Sequence, residues 1–213
     1  SLYLLKKILM KKYIFSLTTV LFIITSCSDN NTDQLDPIIL SENIEIYDEN
    51  LISDDYIFVV ENSSNYSYLI NKEGFKLWEW NFDAPSGNDL EILENGNIIG
   101  IFKAANPSID FGGFGGTAKL IDSNGNTLWE FTVSDNNFIA HHDVEMLPNG
   151  NVLMMIWERI TNQIAVQNGV DFDTDIFAEK IIEVNPSDNQ IVWEWRSWDH
   201  IIQDKFDNLP NFG

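Results

Sequence analysis

The sequence predicts an all-β fold, because hairpin-like segments recur along the chain and no long amphipathic helical pattern follows residue 27. Each copy has an apolar strand, a polar turn with Gly or Asn, and a second strand ending in Trp-Glu-aromatic, which is typical of a β-hairpin. A second hairpin unit, with alternating apolar and acidic residues and an Asn-Gly turn, lies between these copies. The first unit occupies residues 69–80, 120–131 and 182–195, and the second occupies residues 89–97 and 143–151.

Two hairpins per repeat give four antiparallel strands. Trp78, Trp129 and Trp193 end equivalent strands and are 51 and 64 residues apart, close to the roughly 40–50 residues of a four-stranded propeller blade. We interpret these tryptophans as core residues that wedge neighbouring blades together. The first full blade is predicted to use strands at 87–93, 97–103, 117–122 and 126–132. The second is predicted to use 141–147, 151–157, 179–184 and 190–196, with an insertion at 158–178 that lengthens the period.

The predicted organisation has three parts. Residues 1–27 read as a signal peptide, with residues 1–9 interpreted as upstream of the true start at Met10. Residues 28–44, rich in Ser, Asp and Asn at their start, are expected to be a tether. Residues 45–213 are predicted to form two full blades and part of a third. Because a propeller closes with about 4–8 blades, the chain is expected to be an N-terminal fragment of the domain.

The N-terminal segment indicates export. Lys11 and Lys12 precede an apolar stretch too short for a membrane span. The stretch ends in Ile-Thr-Ser-Cys, which matches a bacterial lipobox with Cys27 as the lipidated residue. Cys27 is the only cysteine, so no intrachain disulfide can form. We expect an exported protein held on a membrane, facing the periplasm or the cell surface, through this lipid anchor alone.

The charge of the chain excludes one class of partner. The formal net charge is −21, and all acidic residues follow Cys27. Such a field repels the phosphate backbone, so nucleic acid is not an expected partner. The acidity itself is attributed to a solvated surface, and the oligomeric state is left open.

The histidines are the strongest candidates for chemistry. There are three, His141, His142 and His200, and the first two are adjacent at the start of a predicted innermost strand. The previous blade has Gly87 and Asn88 at the corresponding positions. Because neighbouring strand residues point to opposite faces, one imidazole is expected to face the channel while the other orients it. We favour His142 as the channel residue, with Asp143 fixing its tautomer; a purely structural pair remains the alternative.

Other residues give weaker signals. Arg159 is a candidate ligand for a sulfate or phosphate, with a salt bridge to Glu158 or another acid as the alternative. Arg196 is assigned to packing between blades. A metal site at the histidine pair is not expected, because a third histidine is lacking nearby. The glycine-rich run at 111–116 lacks a strand–helix context, so it is interpreted as a flexible connection and not a cofactor-binding loop.

Three motifs resemble the bacterial arylsulfate sulfotransferases, particularly the exported lipoproteins of that family. They are residues 141–151, 192–196 and 198–204. The resemblance implies a six-bladed propeller that needs no cofactor and moves a sulfuryl group from an aryl sulfate to a phenol through a sulfated histidine.

Carried over by position, the resemblance implies that the His-His-Asp motif supplies a substrate-binding histidine at the channel, for which His142 is preferred. His142 and His141 are the predicted catalytic residues. Arg159 and His200 are further candidates for substrate binding. The nucleophilic histidine of the family, its His-x-Asn pair and its arginine clamp belong to later blades, so they are expected beyond residue 213. The fragment alone is therefore expected to be inactive.

A different class stays open at this stage. The Leu-Ile-Asp-x-x-Gly-x-x-Leu-Trp-Glu pattern at 120–130 also resembles the repeats of quinoprotein-like propellers, including lipoproteins that act as assembly scaffolds. The histidine pair and the Trp-Asp-His run at 198–200 favour the sulfotransferase, because a scaffold blade needs neither.

Overall fold

The computed structural model describes residues 38–170, 172–204, 206–209 and 211. The predicted signal peptide, Cys27 and most of the predicted tether lie outside these residues. The described part is almost entirely β-structure, arranged as three antiparallel sheets that follow one another along the chain. Among these residues no helix has the length and apolar character needed to cross a membrane.

The first sheet has three strands and each of the next two has four, all in sequential order. The first contains β1 (Ile57–Val60), β2 (Tyr66–Ile70) and β3 (Lys76–Asn81). The second contains β4 (Ser86–Ile92), β5 (Ile98–Lys103), β6 (Gly116–Ile121) and β7 (Thr127–Thr132). The third contains β8 (Phe138–Met146), β9 (Val152–Ile160), β10 (Ile176–Asn185) and β11 (Gln190–Arg196).

The predicted strands of the second sheet agree with the observed ones to within one residue at either end, and those of the third sheet to within three. The two Asn-Gly turns form as predicted, and Gly96 and Gly150 both have a positive φ, 85° and 86°, that a side chain would oppose. The predicted insertion contains a short helix, α1 (Asn162–Gln167), after which β10 begins. A 3-10 helix at Ser197–His200 follows β11.

Hydrophobic side chains join the sheets in chain order. Strand β5 is buried on both faces, since its side chains alternate between two cores. Ile98 and Phe102 pack with Leu69 and Trp80 of the first sheet. Ile99 and Ile101 pack instead against the third sheet, in a core that contains residues of β8, β9 and β10. The second sheet is therefore sandwiched between the other two, with β8 lying against β4 and β5.

The repeated tryptophans differ from the predicted core role. Trp78 and Trp193 are 38% and 47% exposed, so neither is a core residue of the described structure. Trp129 does link neighbouring sheets, because its indole Nε1–H donates to Asn189 Oδ1 in the β10–β11 turn at 2.7 Å. The buried residue is Trp80, whose Nε1–H donates to the carbonyl of Ser123 in the β6–β7 turn. In the Trp78-Glu79-Trp80 motif of the first sheet, the last residue and not the first therefore enters the core.

Candidate functional site

The histidine pair lies in a bulge of strand β8. Ala140 pairs with Ile156 and Val144 pairs with Met154, so three residues of β8 stand opposite Met155 alone. A bulge of this kind redirects side chains that a regular strand would alternate. His141 is fully buried, whereas His142 is exposed and has a left-handed φ of 51°. The two imidazoles differ in burial, and the bulge produces this difference and not simple strand alternation; that His142 faces a channel stays a prediction.

Strand β4 has the same bulge. Ser86 pairs with Phe102 and Leu90 with Gly100, so residues 87–89 stand opposite Ile101 alone. The burial pattern also repeats, because Gly87 is buried and Asn88 exposed. The sequence comparison that set Gly87 and Asn88 against the histidine pair is thus reproduced in three dimensions. We call residues 87–89 the first bulge and residues 141–143 the second bulge.

The glycine-rich connection between β5 and β6 brings the two bulges together. The amide N–H of His142 donates to the carbonyl of Gly113, and that of Gly115 donates to the carbonyl of Ala140. A Cβ on Gly113 would lie 1.9 Å from Asn88 Nδ2 and 2.4 Å from His142 Nε2. The Asn88 and His142 side-chain nitrogens therefore both lie against the open face of Gly113. This run is the predicted connection, and its backbone is hydrogen-bonded to the next sheet.

His141 is fixed on three sides. Its ring stacks on the indole of Trp157, with centroids 4.1 Å apart and an interplanar angle of 16°. Its Nε2 lies 2.8 Å from Glu179 Oε2, and its Nδ1 lies 2.8 Å from His142 Nδ1. The indole Nε1–H of Trp157 donates to the other oxygen of Glu179 at 3.1 Å. Burial lowers the pKa of His141, partly opposed by the charge of Glu179.

These contacts determine where the protons lie. Because a carboxylate only accepts hydrogen bonds, His141 donates from Nε2–H to Glu179. A neutral His141 then has a lone pair on Nδ1, which accepts from the Nδ1–H of His142. In neutral His142 the remaining lone pair is on Nε2, the nitrogen near Asn88. The partner of His142 Nδ1 is therefore His141. The sequence had predicted Asp143 in this role.

Asp143 interacts instead with Asp89 of the first bulge. Asp143 lies close enough for its charge to act on the carboxyl group of Asp89, and the amide N–H of Val144 donates to Asp89 Oδ2 at 3.3 Å. Burial, reinforced by the neighbouring charge of Asp143, raises the pKa of Asp89 to about 6. The third residues of the two bulges thus interact, with Asp89 partly buried and Asp143 exposed.

Arg159 and His200 lie in other surroundings. Arg159 donates from Nε to Asp175 Oδ2 at 2.6 Å and forms an ion pair with the same carboxylate, so the salt-bridge alternative is observed, with Asp175 in place of Glu158. It lines a cavity of about 460 Å³ together with Phe111 and Phe177. Phe111 stacks on Trp157, and Trp157 in turn stacks on His141, so this cavity is connected to His141 through two stacked aromatic rings.

His200 stacks on Trp195, with centroids 5.2 Å apart, and lines a different cavity beyond β11. Nearby, Arg196 forms a bidentate ion pair with Glu158 between β11 and β9, so this contact lies within the third sheet and does not join two sheets. The structure thus brings together His141 and His142 but sets Arg159 and His200 in two further cavities. Within the described ranges, no three His, Cys, Asp or Glu side chains are arranged to hold a metal ion.

Sequence reasoning missed three residues of this site. Asn88 was visible as the partner position of His142 in the repeat, but its role needed the Gly113 contact. Gly113 lay inside a run interpreted only as a connection. Glu179 gave no signal, because it is 38 residues from His141 and reaches it only through the pairing of β10 with β9.

The comparison with known families agrees with the sequence motifs. The family model described as arylsulfotransferase (ASST) matches residues 25–211, which include all three sheets. No curated protein sequence matches the chain.

Proposed function

Because the chain belongs to the arylsulfotransferase (ASST) family, we propose that it transfers a sulfuryl group from an aryl sulfate to a phenol without a nucleotide donor. The proposed route has two halves. A histidine nitrogen bonds to sulfur as the sulfur–oxygen bond to the aryl group breaks, and the departing phenolate takes up a proton. The acceptor phenol then loses a proton, its oxygen bonds to sulfur, and the imidazole is released.

The observation that supports a site in this part of the chain is the exposed ring of His142. Its Nδ1 is held by the buried His141, while its Nε2 lies beside the amide of Asn88. A proton on Nε2 makes the ring a cation that donates to a sulfuryl oxygen, and the Asn88 amide supplies a second N–H donor. Fixed donors of this kind stabilise charge that shifts onto the sulfuryl oxygens during transfer.

Asn88 is oriented for this role by the first sheet. The Nδ2–H of Asn62 donates to Asn88 Oδ1 at 2.9 Å, so the amide nitrogen of Asn88 faces Gly113 and His142. Local donors matter here because the chain as a whole carries a charge of −21, which disfavours an anionic substrate at long range. We assign His142 and Asn88 to sulfuryl binding, and we assign the covalent step to no residue among those described.

The test uses the full-length protein and transfer from 4-nitrophenyl sulfate to phenol with no nucleotide added. We expect His142→Asn to lower kcat on the order of 100-fold. Asparagine tolerates the left-handed φ of this position, so the backbone is retained. His142→Ala removes the same ring but adds backbone strain of about 1 kcal/mol, and His141→Ala should also reduce transfer because His142 loses its partner.

A control separates chemistry from backbone strain. Asn106→Ala places alanine at a left-handed φ of 52° outside both bulges and should leave transfer unchanged. Full turnover by a folded His142→Asn variant would remove His142 from the site. Absence of transfer by the wild type over a broad panel of aryl sulfates and phenols would favour the scaffold function instead.

We also propose that the three sheets are successive blades of a β-propeller. Support comes from their sequential strand order, with four strands in the second and third sheets, and from the indole hydrogen bonds of Trp80 and Trp129 to a turn of the following sheet. The proposal requires the first and last sheets of the complete domain to meet. A crystal structure in which those sheets remain apart would contradict it.

A lipid anchor at Cys27 is proposed from the sequence Ile-Thr-Ser-Cys alone. Metabolic labelling with a fatty-acid probe should tag the wild type and Ser26→Ala, which keeps a small residue before the cysteine, but not Cys27→Ser. Labelling of Cys27→Ser to the wild-type level would rule out this anchor.

A further inference from the structure

Glu179 connects two aromatic rings of the site from a neighbouring strand. It lies on β10 directly opposite Trp157 of β9. Its Oε1 accepts from the indole Nε1–H of Trp157 at 3.1 Å, and its Oε2 accepts from His141 at 2.8 Å. Since the indole and imidazole rings stack in parallel, one carboxylate sets the position of both.

The hydrogen bonds continue from Glu179 to the exposed nitrogen. His141 must keep its proton on Nε2 to donate to the carboxylate, and its Nδ1 must then accept from His142. The negative charge of Glu179 therefore lies at the far end of a chain of two imidazoles. When His142 donates to a bound anion, the Glu179 carboxylate, whose side chain is 45% exposed, orients it through His141, as an orienting carboxylate does for a catalytic imidazole.

We infer that Glu179 is a positioning residue for sulfuryl transfer, which acts on His142 through His141 and does not touch the substrate. The inference rests on the proposed function and adds the residue that sets the tautomer and charge of its imidazole. The titratable group that hydrogen-bonds to the ring of His142 is His141, and Asp143 follows His142 directly in the chain.

Glu179→Gln is the most direct variant. A glutamine amide has one acceptor oxygen for two N–H donors, so either His141 or Trp157 faces an N–H group in place of an oxygen. We expect kcat to fall about 10- to 100-fold, the range typical when the partner that orients a functional imidazole is lost. KM should change little, because Glu179 does not contact the substrate.

Glu183→Gln is a matched control on the same strand. The Glu183 carboxylate also accepts two hydrogen bonds, from the amides of Asn149 and Asn151, but at the opposite end of β9 from Trp157. It should leave kcat unchanged, because both hydrogen bonds end on Oε1 of Glu183, an acceptor that glutamine also has, and neither comes from His141 or Trp157. Equal kcat for Glu179→Gln and wild type would overturn the inference.

A second readout does not depend on turnover. Nitrogen-15 NMR of the three histidines reports which ring nitrogen bears the proton. In the wild type His141 should be protonated on Nε2 and His142 on Nδ1, and Glu179→Gln should give mixed tautomers at both. If the tautomers in Glu179→Gln match those of the wild type, Glu179 is only a structural residue. If the tautomers shift but the wild type transfers no sulfuryl group, the positioning role holds and the proposed reaction fails.

Discussion

The two bulges have the same backbone form but different side chains. In both β4 and β8, three residues stand opposite one residue of the next strand, with the first buried and the second exposed. The first bulge reads Gly-Asn-Asp and the second reads His-His-Asp. A repeated sheet therefore supplies the same exposed position twice, and only the second has received an imidazole there.

The difference lies mainly in what supports each bulge. Around the second, His141 is held by Trp157 and Glu179. The positions in the second sheet that correspond by strand pairing are Lys103 and Gly116. The lysine side chain has no aromatic ring to stack on an imidazole, and glycine has no side chain to accept a hydrogen bond from one. An imidazole in the first bulge would therefore lack an orienting partner, whereas the second bulge provides one on the same backbone form.

The largest effect is expected where the bulges meet. In Gly113→Ala the new Cβ would overlap Asn88 Nδ2 and His142 Nε2. Both atoms are at the ends of side chains, so they can move aside, and the fold should lose about 1 kcal/mol or less. The displaced donors no longer share one point, and we expect kcat for aryl sulfate transfer to fall on the order of 100-fold. Wild-type kcat in this variant would mean that the two nitrogens do not act together.

A smaller effect is expected inside the first bulge, on stability. In Gly87→Ala the Cβ would lie 2.9 Å from Ile101 Cγ2 and 3.1 Å from the carbonyl oxygen of Ile101, which is fully buried. Because the backbone cannot yield easily, the free energy of unfolding measured in urea should fall by about 1–3 kcal/mol. The exposed neighbour gives the control, since Asn88→Ala should cost only about 0.5 kcal/mol. Equal stability of Gly87→Ala and wild type would show that the first bulge has room for a side chain.

The sequence predicted the sheets well because their signals are local. In the second sheet, the β4–β5 hairpin has an Asn-Gly turn and the β6–β7 hairpin an Asp-x-x-Gly turn, so these strands were placed to within one residue at either end. The start of β8 was less accurate, at 138 against a predicted 141, because the bulge interrupts the alternation.

The site was only partly predictable because its contacts are distant in sequence. His142 was found from its position in the repeat. Its partner was predicted to be the adjacent Asp143, whereas the observed partner is His141, backed by Glu179. Arg159 was a reasonable ligand for an anion by residue type, but β10 and the segment before it place Asp175 against its guanidinium. Register between strands decides such pairs, and no single-sequence pattern reports it.

The smallest effect concerns the acidic contact shared by the bulges. The pKa of Asp89 is raised to about 6, chiefly by burial, so the folded state favours the protonated carboxyl. Its stabilising contribution is complete below the unfolded pKa of 3.8 and is lost as pH rises through about 6. The full shift corresponds to about 3 kcal/mol, which solvent screening of this half-exposed group reduces to about 1 kcal/mol.

Asp89→Asn stays neutral and can still accept a hydrogen bond from the Val144 amide, so this pH-dependent loss of stability should disappear. Urea unfolding at several pH values from 3.5 to 7 should give a flatter stability profile for Asp89→Asn than for wild type. Asp122→Asn is a control of opposite sign, because hydrogen bonds from Asn126 lower the pKa of Asp122, and its contribution is lost as pH falls. Parallel profiles for Asp89→Asn and wild type between pH 4 and 6 would show that the folded state does not raise the pKa of Asp89.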